Sequence, residues 1–186
     1  MLTGPLRDRF QMREHLDFYS EEELTQIIKG NAKKLHLEID DESANIIAIR
    51  SRSTPRIANN RLRCVRDYVT ARADGKINPD ITRTALLKWE IDIRGLDKMD
   101  RKYLETLIGV FRGGPAGVEA IAHTINTASD TLIDEVEPFL LRTGMVVRTP
   151  RGRIATQSAF THMGMSGKPF NIDDESAGDD QDALFA

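Results

Sequence analysis

Apolar residues recur at helical spacing along most of the chain, and the period changes once, near Gly144. Ser20 opens an S-x-x-E capping box with Glu23, and Leu24, Ile27, Ile28 and Leu35 follow near a 3.6-residue period. A second helix starts at Asp40 or Asp41 and buries Ala44, Ile47 and Ile49. Thr54-Pro55 reads as an N-cap followed by proline at the first helical position. The helix it opens carries Ala58, Leu62, Val65 and Val69 on one face and most of its arginines on the others. Asp74-Gly75 ends that helix, and Asn78-Pro79 opens the next, through Leu86 and Leu87. These helices are enough to close a small core of their own.

Asp92 to Leu96, with Gly95 inside it, reads as a linker. A helix from about Asp97 to Arg112 follows, burying Met99, Tyr103, Leu104, Leu107 and Phe111, and Gly113-Gly114-Pro115 stops it. A short helix spans about Val118 to Ile125. Thr127 and Asp130 form a capping box before Leu132, Ile133, Val136, Phe139 and Leu140, and Pro138 predicts a kink or an early end. Beyond Gly144, Met145 to Val147 predicts a strand, Pro150-Arg151-Gly152 a tight turn, and Ile154 to Thr156 a return strand. Three helices and a hairpin make the winged-helix version of the helix-turn-helix plan, so the fold class is mainly α. Past Ser166, a Gly-, Ser- and Asp-rich composition with few apolar residues predicts disorder.

Composition narrows the class without naming a function. With 186 residues, 40% apolar and 30% charged, the chain fits one ordinary domain or two small soluble helical ones. No run of about 18 uncharged apolar residues offers a membrane span. The start has no basic n-region before an apolar core, and Cys64 stands alone. Both features fit a reducing cytoplasm, and the lone cysteine rules out a disulfide framework.

Charge becomes informative when it is split along the chain. Six acids and one base between Ser166 and Ala186 give that tail −5, so the overall −3 leaves +2 for residues 1–165. Arg50, Arg52, Arg56, Arg61, Arg63, Arg66 and Arg72 face one acid, Asp67, between Ile49 and Ala73. Between Leu141 and Lys168 there are four arginines and a lysine with no acid. A solvated face accounts for either run taken alone. The tail either aids solubility or competes with DNA for the basic body.

Nucleotide chemistry is incomplete. The chain contains neither G-x-x-x-x-G-K-[ST] nor G-x-G-x-x-G. Ile39-Asp40-Asp41-Glu42 resembles an acidic metal-binding strand end, but its place before an apolar helical pattern makes it a helix N-terminus. The histidines (His15, His36, His123 and His162) lack zinc spacing, and no nucleophile–base set can be assembled. Alone, the chain is not expected to hydrolyse a nucleotide. Arg56 sits in the first turn of a helix, where a guanidinium and free backbone N–H groups both attract a phosphate. Arg148 and Arg153 flank the wing turn, where cations can meet a nucleic-acid backbone. The third helix of the plan carries Asp130, Asp134, Glu135 and Glu137, whose charges oppose phosphates, so the wing is the expected DNA contact.

Six motifs then occur in an ordered series: Thr3-Gly-Pro-Leu-Arg-Asp-Arg-Phe10, Thr54-Pro-Arg-Ile-Ala-Asn59, Met99-Asp-Arg-Lys102, Gly113-Gly-Pro115, Glu137-Pro138 and Arg148-Thr-Pro-Arg-Gly-Arg153. In order and spacing they resemble the RuvB family, bacterial AAA+ motors of Holliday-junction branch migration in recombination, repair and the SOS response. The resemblance covers about residues 3–165. It implies the end of a large ATPase domain at 1–17, a small helical lid at 18–91 and a winged-helix head at 92–165, with the acidic tail of 166–186 outside it.

By the same resemblance, Arg9 matches the arginine finger, and Arg7 is a weaker candidate for that role. Tyr19 and Arg56 match nucleotide-contacting positions of the lid, Arg56 as its sensor arginine. Arg148 and Arg153 match DNA-contacting wing residues. The implied ligands are ATP with Mg2+, and the implied partners are four-way-junction and duplex DNA, RuvA, RuvC and a homo-hexamer of the intact subunit. The phosphate loop, the acidic magnesium site and the RuvA-binding hairpin of the family would lie upstream of Met1. Asn60, Arg61 and Cys64 depart from the family's usual residues. The rival reading is a non-enzymatic winged-helix regulator or adaptor that reads sequence.

Overall fold

A computed structural model describes residues 9, 17–72, 76–167 and 169. The chain divides between Gly95 and Leu96 into two compact units, each with its own apolar core. The expected end of a helix at Asp74-Gly75, the acidic tail beyond residue 169 and Arg7 lie outside the described residues.

The first unit is built from capped helices. Helix α1 (Glu21–Lys34) starts at the Ser20–Glu23 capping box, with both reciprocal bonds formed (3.2 and 2.9 Å). Its core face is Leu24, Ile28 and Ala32; Leu35 falls just past the last turn and is exposed. In α2 (Asp41–Ile49), the Asp40 carboxylate accepts from the Ser43 N–H at 2.6 Å, as expected of a helix N-terminus. Its buried stripe runs Ala44, Ile47, Ala48 and on to Ser51, so Ile49 lies off the stripe and is exposed, against expectation. Helix α3 (Pro55–Arg72) buries Ala58, Leu62, Val65 and Val69 as its period requires. Asn78 caps α4 (Pro79–Lys88) by accepting from the Ile81 N–H at 2.9 Å. A 2.6 Å bond from the Asn31 amide to the Asn59 carbonyl oxygen fixes α1 on α3.

The second unit departs from uniform helices at two places. Helix α5 (Lys98–Glu105) opens on a capping box between Asp97 and Asp100, then widens into an i→i+5 turn over Thr106–Val110. Helix α6 (Val118–Ile125) ends on Asn126 in the left-handed region, and the Thr127 N–H closes it on the Ala122 carbonyl. The expected Thr127–Asp130 capping box therefore does not form, and α7 (Ser129–Thr131) follows Ala128 with no side-chain cap. A second i→i+5 turn, Leu132–Val136, leads into α8 (Glu137–Arg142). Pro138 thus sits in the first turn of a restarted helix, where its missing N–H costs nothing.

Strands β1 (Val146–Thr149) and β2 (Gly152–Ala155) form the wing, antiparallel, with Arg148 directly opposite Arg153. Thr156 leaves the expected return strand to precede α9 (Gln157–Met163), a helix too short to show a period in sequence. The fold is mainly α, a four-helix unit followed by a winged helix.

The Gly113–Ala116 segment does more than stop a helix. Ala116 and Arg153 exchange both backbone bonds (3.0 and 2.8 Å), and the Ala155 N–H donates to the Gly113 carbonyl at 2.8 Å. The segment therefore lines β2 as a third edge. A Cβ on Gly114 would overlap the Arg153 carbonyl, and one on Gly152 would stand 2.5 Å from the Ala116 carbonyl; both residues have positive φ. Gly152→Ala or Gly114→Ala is expected to lower unfolding free energy by about 2 kcal/mol, whereas Gly117→Ala, with open space around it, is near neutral. Urea denaturation of the three variants checks the ranking.

Candidate functional site

In the first unit, two of the sequence-predicted residues converge on the start of α3. Arg52 and Ser53 both adopt positive φ, which turns the chain sharply between α2 and α3. The Tyr19 N–H donates to the Ser53 carbonyl at 3.3 Å, setting Tyr19 beside the segment that leads into Arg56. The Thr54 hydroxyl donates back to the Arg52 carbonyl at 3.0 Å. No acid occupies the first turn of α3, and Arg56 and Tyr19 are both exposed. A positive helix end, a guanidinium and an aromatic ring suit an anionic nucleotide. Arg9 is exposed. Among the described residues no group of three or more His, Cys, Asp or Glu is arranged to hold a metal ion, and no helix is long and apolar enough to cross a membrane. Burial pushes the half-buried Cys64 thiol up, away from nucleophilic use.

In the second unit, the wing places two guanidiniums opposite each other, an arrangement that like charges alone would disfavour. The Glu137 carboxylate, wholly buried at the start of α8, resolves it. Its Oε1 accepts from Arg153 Nε at 2.8 Å and from the Tyr103 hydroxyl at 3.0 Å. Its Oε2 accepts from Arg148 Nε at 2.9 Å, from Arg148 Nη2 and from Arg153 Nη2 at 3.3 Å. Arg153 is 18% exposed and Arg148 46%, so the first faces the carboxylate and the second keeps an outer edge in water. Arg151 is exposed in the turn between them, and Asp130, Asp134 and Glu135 are exposed on the helical side.

By charge alone Glu137 belongs with the acids that oppose phosphates, but the structure buries it against the wing. The signal was present: Glu137 shares the stripe of Ile133, Val136 and Leu140, which places an acid on a buried face. The helical period places Tyr103 in the core. It is core, and its hydroxyl is also the third donor to Glu137.

Burial alone pushes the Glu137 carboxyl up, but the hydrogen bonds from Arg153, Arg148 and Tyr103 outweigh it and hold the group below its usual 4.5. Burial first, and then the charge of Glu137, push the Tyr103 hydroxyl far above its usual 10.0. The carboxylate therefore contributes stability that is present above about pH 4.5 and is lost as pH falls toward its own lower pKa. The tyrosine contributes stability that is whole below about pH 10 and falls as pH rises toward its elevated value. Glu137→Gln should cost about 3 kcal/mol at neutral pH and flatten the acid limb of the stability curve. Tyr103→Phe should flatten the alkaline limb and only shrink the acid limb, because the bonds from Arg153 and Arg148 to Glu137 remain. Urea titrations across pH check both signs.

Comparison with known proteins assigns both units. Residues 19–92 match the family model for the RuvB AAA lid domain, and residues 93–164 match the RuvB C-terminal winged helix domain. A Holliday junction branch migration complex subunit RuvB from Rhodopirellula baltica is 60% identical over 163 residues, covering 88% of this chain and 44% of that protein. The Thermobifida fusca subunit is 48% identical over 169 residues, covering 91% and 48%. The solved structure of the Thermotoga maritima RuvB Holliday junction branch migration motor superposes with a TM-score of 0.83 at 45% identity, covering 89% of this chain and 55% of that one. The chain spans less than half the length of these two sequence relatives. It belongs to the RuvB family, of which it carries the AAA lid and the C-terminal winged-helix domains.

Proposed function

We propose that these residues are the lid and DNA-gripping head of an ATP-dependent motor that branch-migrates Holliday junctions in recombination and repair. The observation that carries this reading is the contiguous match of residues 19–164 to the two RuvB domains in order. DNA is held through its backbone, with the wing's guanidiniums set against phosphates. Arg148 is the phosphate contact, Arg151 a second cation at the turn, and Arg153 chiefly a brace on Glu137.

Tyr19, the first turn of α3 and Arg56 fit one side of an ATP site, with Arg56 facing phosphate. Arg9, with Arg7 as the weaker candidate, serves as the arginine finger toward a neighbouring subunit of a homo-hexamer. The chemistry supplied with ATP is phosphoryl transfer to water, which also requires a phosphate loop and Mg2+ ligands that the described residues do not offer. RuvA and, in the resolving complex, RuvC are the protein partners, and the cytoplasm is the setting.

Ile91 belongs to the lid core and Leu96 to the head core, so only Asp92–Gly95 lies between them. Asp92 accepts from the N–H groups of Arg94 (2.9 Å) and Gly95 (3.1 Å), and Arg52 Nε donates to the Gly95 carbonyl at 3.3 Å.

Binding of the full chain to a labelled four-way junction tests the reading. Affinity should be the same across arm sequences and fall steeply with salt. Arg148→Ala should weaken binding about tenfold and reduce the salt slope by about 1. Strong preference for one arm sequence would favour the regulator reading, and an unchanged Arg148→Ala variant would remove Arg148 from the interface.

A further inference from the structure

We propose that Glu137 is a positioning residue for DNA binding: the buried carboxylate holds Arg148 with its outer edge presented to a phosphate. This rests on the reading that the wing meets the DNA backbone. One carboxylate faces two guanidiniums, so the cluster carries a surplus of one positive charge. With Arg153 at 18% exposure and Arg148 at 46%, that surplus is displayed on Arg148. A guanidinium has five N–H donors in a fixed fork. Arg148 directs Nε and Nη2 at Glu137 Oε2, which leaves the N–H groups of Nη1 for an incoming phosphate oxygen. A long side chain tethered this way has already lost the rotamer freedom that phosphate binding would otherwise remove. Stability alone gives little reason for the arrangement, because well-packed apolar residues usually stabilise a core as well as a buried ion cluster does.

The proposal opposes simple electrostatics in sign. Glu137→Gln removes a negative charge near the interface, which by attraction alone would tighten DNA binding. The amide, however, turns an N–H2 donor toward guanidiniums that need acceptors, and Arg148 is released. Binding of the full chain to a fluorescein-labelled random-sequence duplex, followed by anisotropy, separates the two. The expected result for Glu137→Gln is binding weaker by about fivefold, despite the added positive charge. Equal or tighter binding by a folded Glu137→Gln variant overturns the proposal.

If circular dichroism shows that variant unfolded, Arg148→Lys decides. It keeps the charge and leaves Glu137 paired with Arg153, but an ammonium cannot bridge carboxylate and phosphate as a fork does. Weakening of about threefold or more supports positioning, and wild-type affinity overturns it. Arg148→Ala is the separate arm. If it binds as wild type, the phosphate-contact reading fails; if it weakens while Glu137→Gln tightens, only the positioning role fails.

Discussion

A carboxylate taken out of water needs cations and donors on every free lone pair, and in the winged-helix unit Glu137 has them. Tyr103 reaches it from α5, Arg148 from β1 and Arg153 from β2, while Glu137 itself begins α8. Four elements, three of them within residues 137–155, thus meet at two oxygen atoms. The hairpin's facing arginines would repel without that anion, and the anion would be costly to bury without them. The widened turn at Leu132–Val136 and the restart of the helix at Glu137-Pro138 bring the carboxylate to this place. The same contacts leave one guanidinium edge in solvent, so the interaction that joins the wing to the helices also shapes the wing's exposed cationic edge.

Other motif residues serve as fastenings. In Met99-Asp-Arg-Lys102, Asp100 completes a capping box with Asp97, Arg101 donates to the Leu96 carbonyl at 3.1 Å, and Lys102 donates to the Ile125 carbonyl at the end of α6 at 2.9 Å. In Thr54-Pro-Arg-Ile-Ala-Asn59, Asn59 bonds Asn31 and Ala58 packs in the core, while Arg56 stays outside. Gly113-Gly-Pro115 lays a short edge along β2, and Gly114 is needed there because the Arg153 carbonyl fills the space of a Cβ. A motif can therefore be specific to a family and still act chiefly through packing.

Most of the helical plan was legible in the sequence because periodicity and capping report local physics. Ser20, Asp40, Asn78 and Asp97 cap the helices they precede. The third helix keeps its whole predicted face, Ala58, Leu62, Val65 and Val69. What could not be read depended on contacts made at a distance. Thr127 and Asp130 have capping spacing, but closing α6 on Asn126 takes the Thr127 N–H for another use. The seven residues of α9 are too few to show a period. The site is half visible in the sequence: Arg56, Arg148 and Arg153 stand out by position and charge, whereas Tyr19 stands out only through the resemblance to the RuvB family. The partner that gives the wing arginines their geometry reads in sequence as an acid that opposes phosphates, since pairing across eleven and sixteen residues leaves no local trace.

If Glu137 fixes both wing arginines in solution, the NMR signals of the arginine Nε–H groups in the full chain report on it directly. The Nε–H protons of Arg148 and Arg153 should exchange slowly with water and lose that protection together in the Glu137→Gln variant. Signals from both residues that exchange as fast as those of exposed arginines in the unsubstituted protein would contradict it.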